Sequence, residues 1–448
     1  MINIKTDSRK VKKGDIFVAL RGISSDGHDY IDKAISLGAS KLIVMDDGNY
    51  NIPYELVDDT RVYLNNYLVE NYKSILDKMT IIGYTGTNGK TTCAYLMQDA
   101  LNKLGVKCAY IGTIGYYLDE FVCSLPNTSP DVCDMYELIL NAYNKGFKTI
   151  AIEASSQGLD IGRLYGIPFN YAIFTNLTQD HLDYHKTMEN YADAKKILFN
   201  QLKPNGLRII NNDDPSKNHY IEGNTITFGI KSGDYQATNI NYKSIGTDFL
   251  VNGLNINSPL LGDYNVYNLL PNIIILKELN FDNKQIEDVI KTLSCPSGRM
   301  DTIIYKNNSI IIDYAHTPDA IEKIIATVKK VVKGEIYVVF GCTGSRDKSK
   351  RPIMTKLVLN NVKKAIITID DPHDELPAEI VKDMLEGCNN TNYEIELNRG
   401  LAIKKGIELL KENDTLLILG KGHEEVIIIG KEKIPFNDKK KVIEIIGE

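Results

Sequence analysis

The sequence predicts an α/β protein made of open, mostly parallel sheets in more than one domain, and three observations predict it. From residue 79 onward, short β-branched apolar runs alternate with amphipathic segments of helical spacing, the pattern of parallel strands joined by crossover helices. A glycine-rich turn, "GYTGTNGKTT", joins one such strand to the next helix, the local form of a loop that holds phosphate. At 448 residues the chain exceeds what one hydrophobic core ordinarily serves, so two or three domains are expected.

Taken in order, residues 1–78 read as a small α/β unit: the strand "DIFVAL", a loop rich in Gly, Ser and Asp, the helix "YIDKAISLGA" and the strand "KLIVM". Residues 79–296 carry the strands "MTIIGYTG", "KCAYIGT", "KTIAIEAS", "YAIFTNL" and "GLRIINNDD". Such a sheet has helices on both faces and takes its ligand at the carboxyl ends of the strands. Residues 297–448 repeat the pattern with "IIIDYAHT", "EIYVVFGCTG", "KKAIITIDD" and "DTLLILGKG". Between the last two regions, "CPSGRMD" has the Pro and Gly of a linker.

Composition excludes several classes. Hydrophobic content of 43% and charged content of 25% are those of an ordinary globular protein. A net charge of -6 without a long basic run argues against nucleic acid as a partner. No apolar stretch approaches the ~20 residues that cross a bilayer, and the amino terminus lacks a signal-peptide core, so a cytoplasmic enzyme without membrane insertion is expected. Seven scattered cysteines without a CxxC pair imply reduced thiols rather than a disulfide framework.

The glycine-rich turn is a variant. Gly83, Gly86 and Gly89 allow close approach of the backbone to an anion, Lys90 reaches outer phosphates, and the Thr91 hydroxyl suits Mg²⁺, with Gly86, Thr87, Asn88, Gly89 and Thr92 completing the cradle. The strict pattern wants glycine where Tyr84 stands. Glu153 sits just past a buried strand, where it suits a hard cation or caps a helix. Asp180, His181, Asp183 and His185 cluster after another strand, and Lys195 follows on a helix beginning near Met188. A histidine among carboxylates favours a metal or phosphate role.

"GYTGTNGKTT", "EASSQGL", "TNLTQDHLDYH" and "AKKILF" resemble the central motifs of the Mur ligase family, which also includes folylpolyglutamate synthases. The resemblance implies an ATP-dependent amide ligase in which a carboxylate attacks the γ-phosphate and an amine then attacks the acyl phosphate. It implies that Lys90 binds phosphate, that Thr91 and Glu153 ligate one Mg²⁺ and His181 a second, and that Lys195 is carbamylated by CO₂, turning a cation into a carboxylate at the metal site. "GDYNVYNLLPN" resembles the stretch that holds adenine, with Asn268, and Asn265 beside it, as contacts. Arg299 of "SGRMD", with Asp313 and His316 of "IDYAHTPDA", resembles the nucleotide contacts of the third domain, so ATP is expected between domains.

Three further stretches resemble the branch that adds the third residue of the peptidoglycan stem peptide. "TDSRKVKKGDIFVALRGISSDGHDYI" resembles its uridine-nucleotide domain, with Ser8 and Arg9 at the uracil and diphosphate end. "LPNTSPD" resembles the loop holding the muramoyl peptide through Asn127, Thr128 and Ser129, joined by Ser155 and Arg163. "FGCTGSRDKSKRPIM" and "GKGHEE" resemble the carboxy-terminal motifs. The implied substrates are UDP-MurNAc-L-Ala-D-Glu and a free diamino acid, and the implied enzyme is a monomer. The implied architecture is a uridine-nucleotide-binding domain at 1–78, a P-loop-type ATPase domain at 79–296 and a Rossmann-like amino-acid-binding domain at 297–448.

The chain departs from that pattern where the amino acid enters. Diaminopimelate adders typically read "DNPR"; here "DDPH" places Asp371 for the asparagine and His373 for the arginine, beside Asp370. A permanent bidentate cation is thereby replaced by a side chain whose charge comes and goes near neutral pH. Gly420, Glu424 and Arg399 remain as candidate contacts for a distal amino-acid centre, whereas Asp371 suits the ε-ammonium of L-lysine. meso-Diaminopimelate is favoured, with L-lysine, or a ligase of the folylpolyglutamate type, as the alternatives.

Overall fold

The computed structural model describes residues 2–22, 25–243 and 246–447, and the chain divides into two compact units, Met1–Thr227 and Phe228–Glu448. In the first, β1 (Ile4–Lys5), β2 (Ile16–Val18), β3 (Lys41–Val44) and β4 (Tyr54–Leu56) pair in parallel in that order. Alternation divides their side chains. Phe17, Leu42 and Val44 pack with Ile31 and Ala34 of α1 (Ile31–Ser36). Ile4, Val18 and Ile43 point the other way and share a core with Leu64 and Leu68 of α2 (Thr60–Leu76) and with the next sheet.

That sheet contains β5 (Thr80–Thr85), β6 (Cys108–Gly112), β7 (Gly115–Tyr117), β8 (Phe121–Cys123), β9 (Thr149–Glu153), β10 (Phe169–Phe174), β11 (Leu202–Asn211) and β12 (Thr225–Gly229). They stand in the order β12-β11-β10-β5-β9-β6-β7-β8. From β11 to β6 the pairing is parallel, and β7 and β8 close the edge as an antiparallel meander. β6 and β9 are buried along their whole length, which is why they read as unbroken apolar runs. The helices are α3 (Lys90–Lys103), α4 (Val132–Asn144), α5 (Ser156–Asp160), α6 (Leu182–His185) and α7 (Met188–Asn200). β9 and β10 follow each other in sequence but flank β5 on opposite sides, so the ligand crevice of such a sheet opens at the carboxyl end of β5.

In the second unit, β13 (Tyr235–Gln236) pairs with the end of β12 at Phe228, and β14 (Thr238–Tyr242), β15 (Thr247–Val251) and β16 (Leu254–Ser258) form an antiparallel sheet. α8 (Asp263–Glu278) and α9 (Asn283–Ile290) follow; reciprocal bonds between Asp282 and Gln285 cap α9. Of "CPSGRMD", residues 295–300 form neither helix nor strand, and Asp301 opens the next strand. Beyond it lie β17 (Asp301–Tyr305), β18 (Asn308–Asp313), β19 (Ile336–Phe340), β20 (Lys364–Ile367), β21 (Tyr393–Ile395) and β22 (Thr415–Leu419), ordered β17-β18-β22-β19-β20-β21 with only β17 antiparallel. One face packs on α10 (Pro318–Val331), α11 (Lys350–Asn361) and α12 (Pro377–Leu385), the other on α13 (Arg399–Leu409) and α14 (Asp438–Ile446). A two-stranded hairpin, β23 (Val426–Ile429) and β24 (Glu432–Pro435), precedes α14.

Arg399 corrects an expectation. It lies at the start of α13, its side chain and that of Asp438 both fully buried. Nε and Nη2 donate to the two Asp438 oxygens at 2.7 Å, Nη1 to the Ile369 carbonyl and Nη2 to the Leu419 carbonyl at 3.0 Å. A guanidinium so committed ties two helices to two strand ends and has no face left for a ligand carboxylate. Removing one partner of such a pair leaves the other charged and buried, so Asp438→Ala is expected to cost about 3–5 kcal/mol, seen as a lower urea midpoint by circular dichroism; a loss below about 1 kcal/mol would show that the guanidinium finds other partners.

Candidate active site

The glycine-rich loop is held in a defined shape. Tyr84, where the strict motif needs glycine, is a fully buried residue of β5 paired opposite Glu153, so the turn begins two residues later. Gly86 adopts φ 149°, and a Cβ there would lie 1.9 Å from Thr175 Oγ1, which only glycine permits. The loop is bolted to the end of β10. Thr87 N–H donates to the Asn176 carbonyl (2.8 Å), Asn88 N–H to Asn176 Oδ1 (2.9 Å), and the Thr175 hydroxyl and Asn176 amide to the Asn88 carbonyl (2.6 and 3.0 Å). Gly89 caps α3 in the left-handed region, and Lys90, Thr91 and Thr92 form its first turn, where N–H groups and the helix dipole favour an anion. The Lys90 ammonium donates to the carbonyls of Gly86 and Thr87, both at 2.9 Å.

Glu153 ends β9 fully buried. The Thr91 hydroxyl (2.8 Å) and the Thr113 hydroxyl (3.2 Å) donate to its Oε2, and the Thr113 N–H (2.8 Å) and the Tyr110 hydroxyl donate to Oε1. It caps no helix: the cap of α5 is Ser155, which accepts from the Gly158 N–H. The Thr128 and Thr113 hydroxyls lie 3.0 Å apart, which links the "LPNTSPD" loop to this carboxylate. Ser129, fully buried, donates to the Glu153 carbonyl and lies 3.0 Å from the Ser155 hydroxyl, while Arg163 donates to the Ser129 carbonyl. Asn127 is exposed beside them.

Lys195 projects from α7, 1% exposed. Its ammonium donates to the Gly86 carbonyl at 2.9 Å, the oxygen that Lys90 also uses, and lies 4.1 Å from the centre of the Tyr191 ring. Burial, and then the neighbouring Lys90, hold its pKa well below the ordinary lysine value. His181 caps α6 in the left-handed region, its side chain half-exposed and 3.6 Å from Asp180. Burial lowers its pKa, with Lys90 and Lys195 adding to the effect and Asp180 opposing it, so the neutral imidazole offers a lone pair. His185 is turned away, buried against the Ser156 hydroxyl at 3.0 Å. Ser8 and Arg9 occupy a short 3-10 turn; Ser8 is buried, and the exposed Arg9 guanidinium grips Asp7 at 2.7 Å.

In the second unit the candidate residues gather at the carboxyl ends of β18, β20 and β22. Asp313 accepts from the Met300 and Ala315 N–H groups at 2.8 Å, and burial raises its pKa against the pull of Arg299. Arg299 lies 4.6 Å from the centre of the Tyr314 ring with its Nε buried and unpaired, and His316 packs against the same tyrosine. Asn265 and Asn268 are buried on α8, the Asn268 amide donating to Asn265 Oδ1 at 3.1 Å.

Gly420 follows β22 and donates its N–H to the Asp313 carbonyl at 3.1 Å. Next to it Lys421, fully buried, places its ammonium 2.8 Å from Asp371, 2.7 Å from Glu424 and 3.7 Å from Asp370. The three carboxylates face one another as a cation site would, but a lysine fills the centre. Burial pushes Asp370 up to about 6. Asp371 also accepts from the Ile428 N–H at 2.9 Å. His373 is held in the left-handed region by backbone bonds to Ile428 and Gly430.

Tyr110, Thr113, Tyr191, Tyr314, Lys421 and His423 belong to these clusters and were not singled out from the sequence. Lys421 and His423 lie inside the quoted "GKGHEE", whereas Tyr110 looks like one more apolar residue of a strand until β6 and β9 are paired.

Known proteins match this arrangement along the whole chain. Residues 2–84 match the model described as Mur ligase family, catalytic domain; residues 84–276 match the Mur ligase middle domain; and residues 298–422 match the Mur ligase, glutamate ligase domain. The UDP-N-acetylmuramoyl-L-alanyl-D-glutamate--2,6-diaminopimelate ligase of Clostridium perfringens is 40% identical over 99% of this chain and 94% of its own, and that of Aquifex aeolicus is 38% identical over 99% and 93%. A solved structure of a ligase of the same name superposes with a TM-score of 0.72 at 31% identity, covering 99% of this chain and 94% of that one. The MurF ligase of Thermotoga maritima, solved with ADP, shares the fold at a TM-score of 0.71 and 20% identity, covering 99% and 97%. Matched from its amino-terminal sheet through its phosphate loop to its carboxy-terminal crevice, this chain belongs to the Mur ligase family.

Proposed function

We propose that the chain is a ligase of the MurE type, which uses ATP to join the γ-carboxylate of the D-glutamyl residue of UDP-MurNAc-L-Ala-D-Glu to an amino group of meso-diaminopimelate in peptidoglycan synthesis. The observation that carries this reading is the cluster at the end of β5, where Lys90, Lys195 and the Thr91–Glu153 pair meet around one glycine-rich loop. A carboxylate takes the γ-phosphoryl group, ADP leaves, and an amine that has lost its proton displaces phosphate from the acyl phosphate to form the amide. Lys90 and the N–H groups of residues 86–92 hold phosphate oxygens, and Ser129, Ser155 and Arg163, with Asn127 and Thr128, hold the acceptor peptide. Ser8 and Arg9 take the uridine end. In the second unit, Asn268, Asn265, Arg299, Asp313 and His316 are assigned to the nucleotide.

The donor set fits Mg²⁺. Around an octahedral ion with bonds near 2.1 Å, adjacent ligands stand about 2.9 Å apart, and Thr91 Oγ1 and Glu153 Oε2 stand 2.8 Å apart. When bound, the cation supplies charge neutralisation at the transferred phosphoryl group. His181, neutral through burial, suits a second cation. Lys195 suits carbamylation because its depressed pKa leaves the uncharged amine that attacks CO₂.

The amino-acid site favours meso-diaminopimelate over L-lysine. Asp371, the carboxylate that would attract a lysine ε-ammonium, is already held by Lys421 and by the Ile428 N–H. Glu424, which shares the Lys421 ammonium, and His373 are assigned to the distal centre. The same reading takes the chain as a cytoplasmic monomer with domains at 1–78, 79–296 and 297–448. Among the described residues no helix is long and apolar enough to cross a membrane.

Three outcomes are expected. ADP release in the presence of UDP-MurNAc-L-Ala-D-Glu should depend on meso-diaminopimelate; turnover driven by L-lysine alone would reverse the amino-acid assignment, and turnover independent of any amino acid would refute the ligase reading. Lys90→Ala should lower kcat about 100- to 1,000-fold with an unchanged circular dichroism spectrum. Lys195→Ala should lose activity that millimolar acetate or formate partly restores, and a variant as active as the native protein would exclude the carbamate.

A further inference from the structure

Glu153 carries more donors than a metal ligand needs, and they are unevenly divided. Oε1 accepts the Thr113 main-chain N–H at 2.8 Å and the Tyr110 hydroxyl. Oε2 accepts only threonine hydroxyls, from Thr91 at 2.8 Å and Thr113 at 3.2 Å. A hydroxyl can rotate its proton away and present a lone pair, whereas a main-chain N–H cannot. Oε1 thus holds one bond that cannot turn away and a second from a phenol packed between two other rings, which leaves it less open to a cation than Oε2.

The tyrosine is built into this place. Tyr110 of β6 pairs directly with Ala151 of β9, and Glu153, two residues on, lies on the same face of the sheet. The phenol therefore runs along the strand to the carboxylate. Its ring is fully buried and wedged edge-on between Tyr95 (centroids 6.4 Å apart) and Tyr117 (5.8 Å). Backbone packing closes the space around the contact: a Cβ on Gly112 would lie 2.2 Å from Glu153 Oε1 and 2.4 Å from the Tyr110 hydroxyl. The hydrogen bond thus fills the space that a side chain at residue 112 would take.

We propose that Tyr110 is a positioning residue that, with the Thr113 N–H, retires one oxygen of Glu153 so that the divalent cation is offered Oε2 alone. The proposal rests on the reading of Thr91 and Glu153 as cation ligands. Its consequence is selectivity. Mg²⁺ demands compact octahedral geometry and is satisfied by one oxygen per carboxylate, whereas the larger Ca²⁺ fills its shell with bidentate carboxylates. A Glu153 locked in the one-oxygen mode favours Mg²⁺; freeing Oε1 gives Ca²⁺ the second contact it prefers.

The test is calorimetric titration of Mg²⁺ and of Ca²⁺ into the ADP-saturated full chain, native and Tyr110→Phe, with Glu153→Gln as the baseline for cation held by nucleotide alone. Phenylalanine keeps the ring and its packing and removes only the hydroxyl. The Mg²⁺ dissociation constant is expected to rise about tenfold in the variant, and that of Ca²⁺ to change less than about twofold, so the ratio of the two shifts about tenfold toward Ca²⁺. An unchanged ratio, whether both cations weaken alike or neither does, overturns the proposal. A native protein that binds cations no better than Glu153→Gln overturns the cation reading itself, which separates the two failures. Should the variant not fold, a crystal structure of the native protein with ADP and Mg²⁺ decides: coordination through Oε2 alone supports the proposal, and both oxygens within about 2.6 Å of the ion overturn it.

Discussion

A carboxylate fully removed from water persists only where donors replace its hydration, and that requirement at Glu153 organises the first unit. The donors come from two stretches distant in sequence: Thr91 at the start of α3, and Tyr110 on β6 with Thr113 just beyond it. They meet because β9 lies between β5 and β6, an order that the parallel crossovers impose. The same order puts β10 on the far side of β5, where Thr175 and Asn176 hold the glycine-rich loop in shape. Glu153 therefore links the glycine-rich loop through Thr91, the "LPNTSPD" loop through Thr113 and Thr128, and the neighbouring strand through Tyr110.

The positive charges of that unit are arranged by a related constraint. Lys90 and Lys195 donate to the same Gly86 carbonyl, an arrangement in which each ammonium raises the cost of the other. The buried one yields: Lys195, against the Tyr191 ring and the Gly86 carbonyl, has its pKa driven down by burial and then by Lys90. The partly exposed Lys90 stands at the positive end of α3, where an anion would relieve both the lysine and the helix dipole. An electropositive loop at a helix N-terminus is a good resting place for phosphate.

The second unit handles burial differently, by setting opposite charges against one another. Arg399 closes on Asp438 and two carbonyls, and Lys421 sits among Asp370, Asp371 and Glu424. Both cations fasten the carboxyl ends of parallel strands to later parts of the chain, Arg399 to α14 and Lys421, through Asp371, to β23. The departure at "DDPH" is thus a structural exchange as much as a change of ligand chemistry, because Asp371 serves a lysine of the chain and a hairpin N–H rather than open solvent.

Local chemistry by itself determined much of this. Strand and helix alternation, the turn at 86–89 between strand and helix, the helix from Met188 and the irregular linker at 295–300 were legible because each depends on neighbouring residues: periodicity, glycine freedom, β-branching and proline. Lys90, Glu153 and Lys195 were legible because motif resemblance compresses tertiary information into short strings. What no local string carries is which side chains share a charge. That Arg399 is consumed by a residue 39 positions away, that Asp371 belongs to Lys421, and that a strand tyrosine reaches Glu153 were decided only when β-pairing brought those segments within hydrogen-bonding distance. Desolvation, which sets the state of Lys195 and His181, is likewise a property of the packed fold and not of the residue.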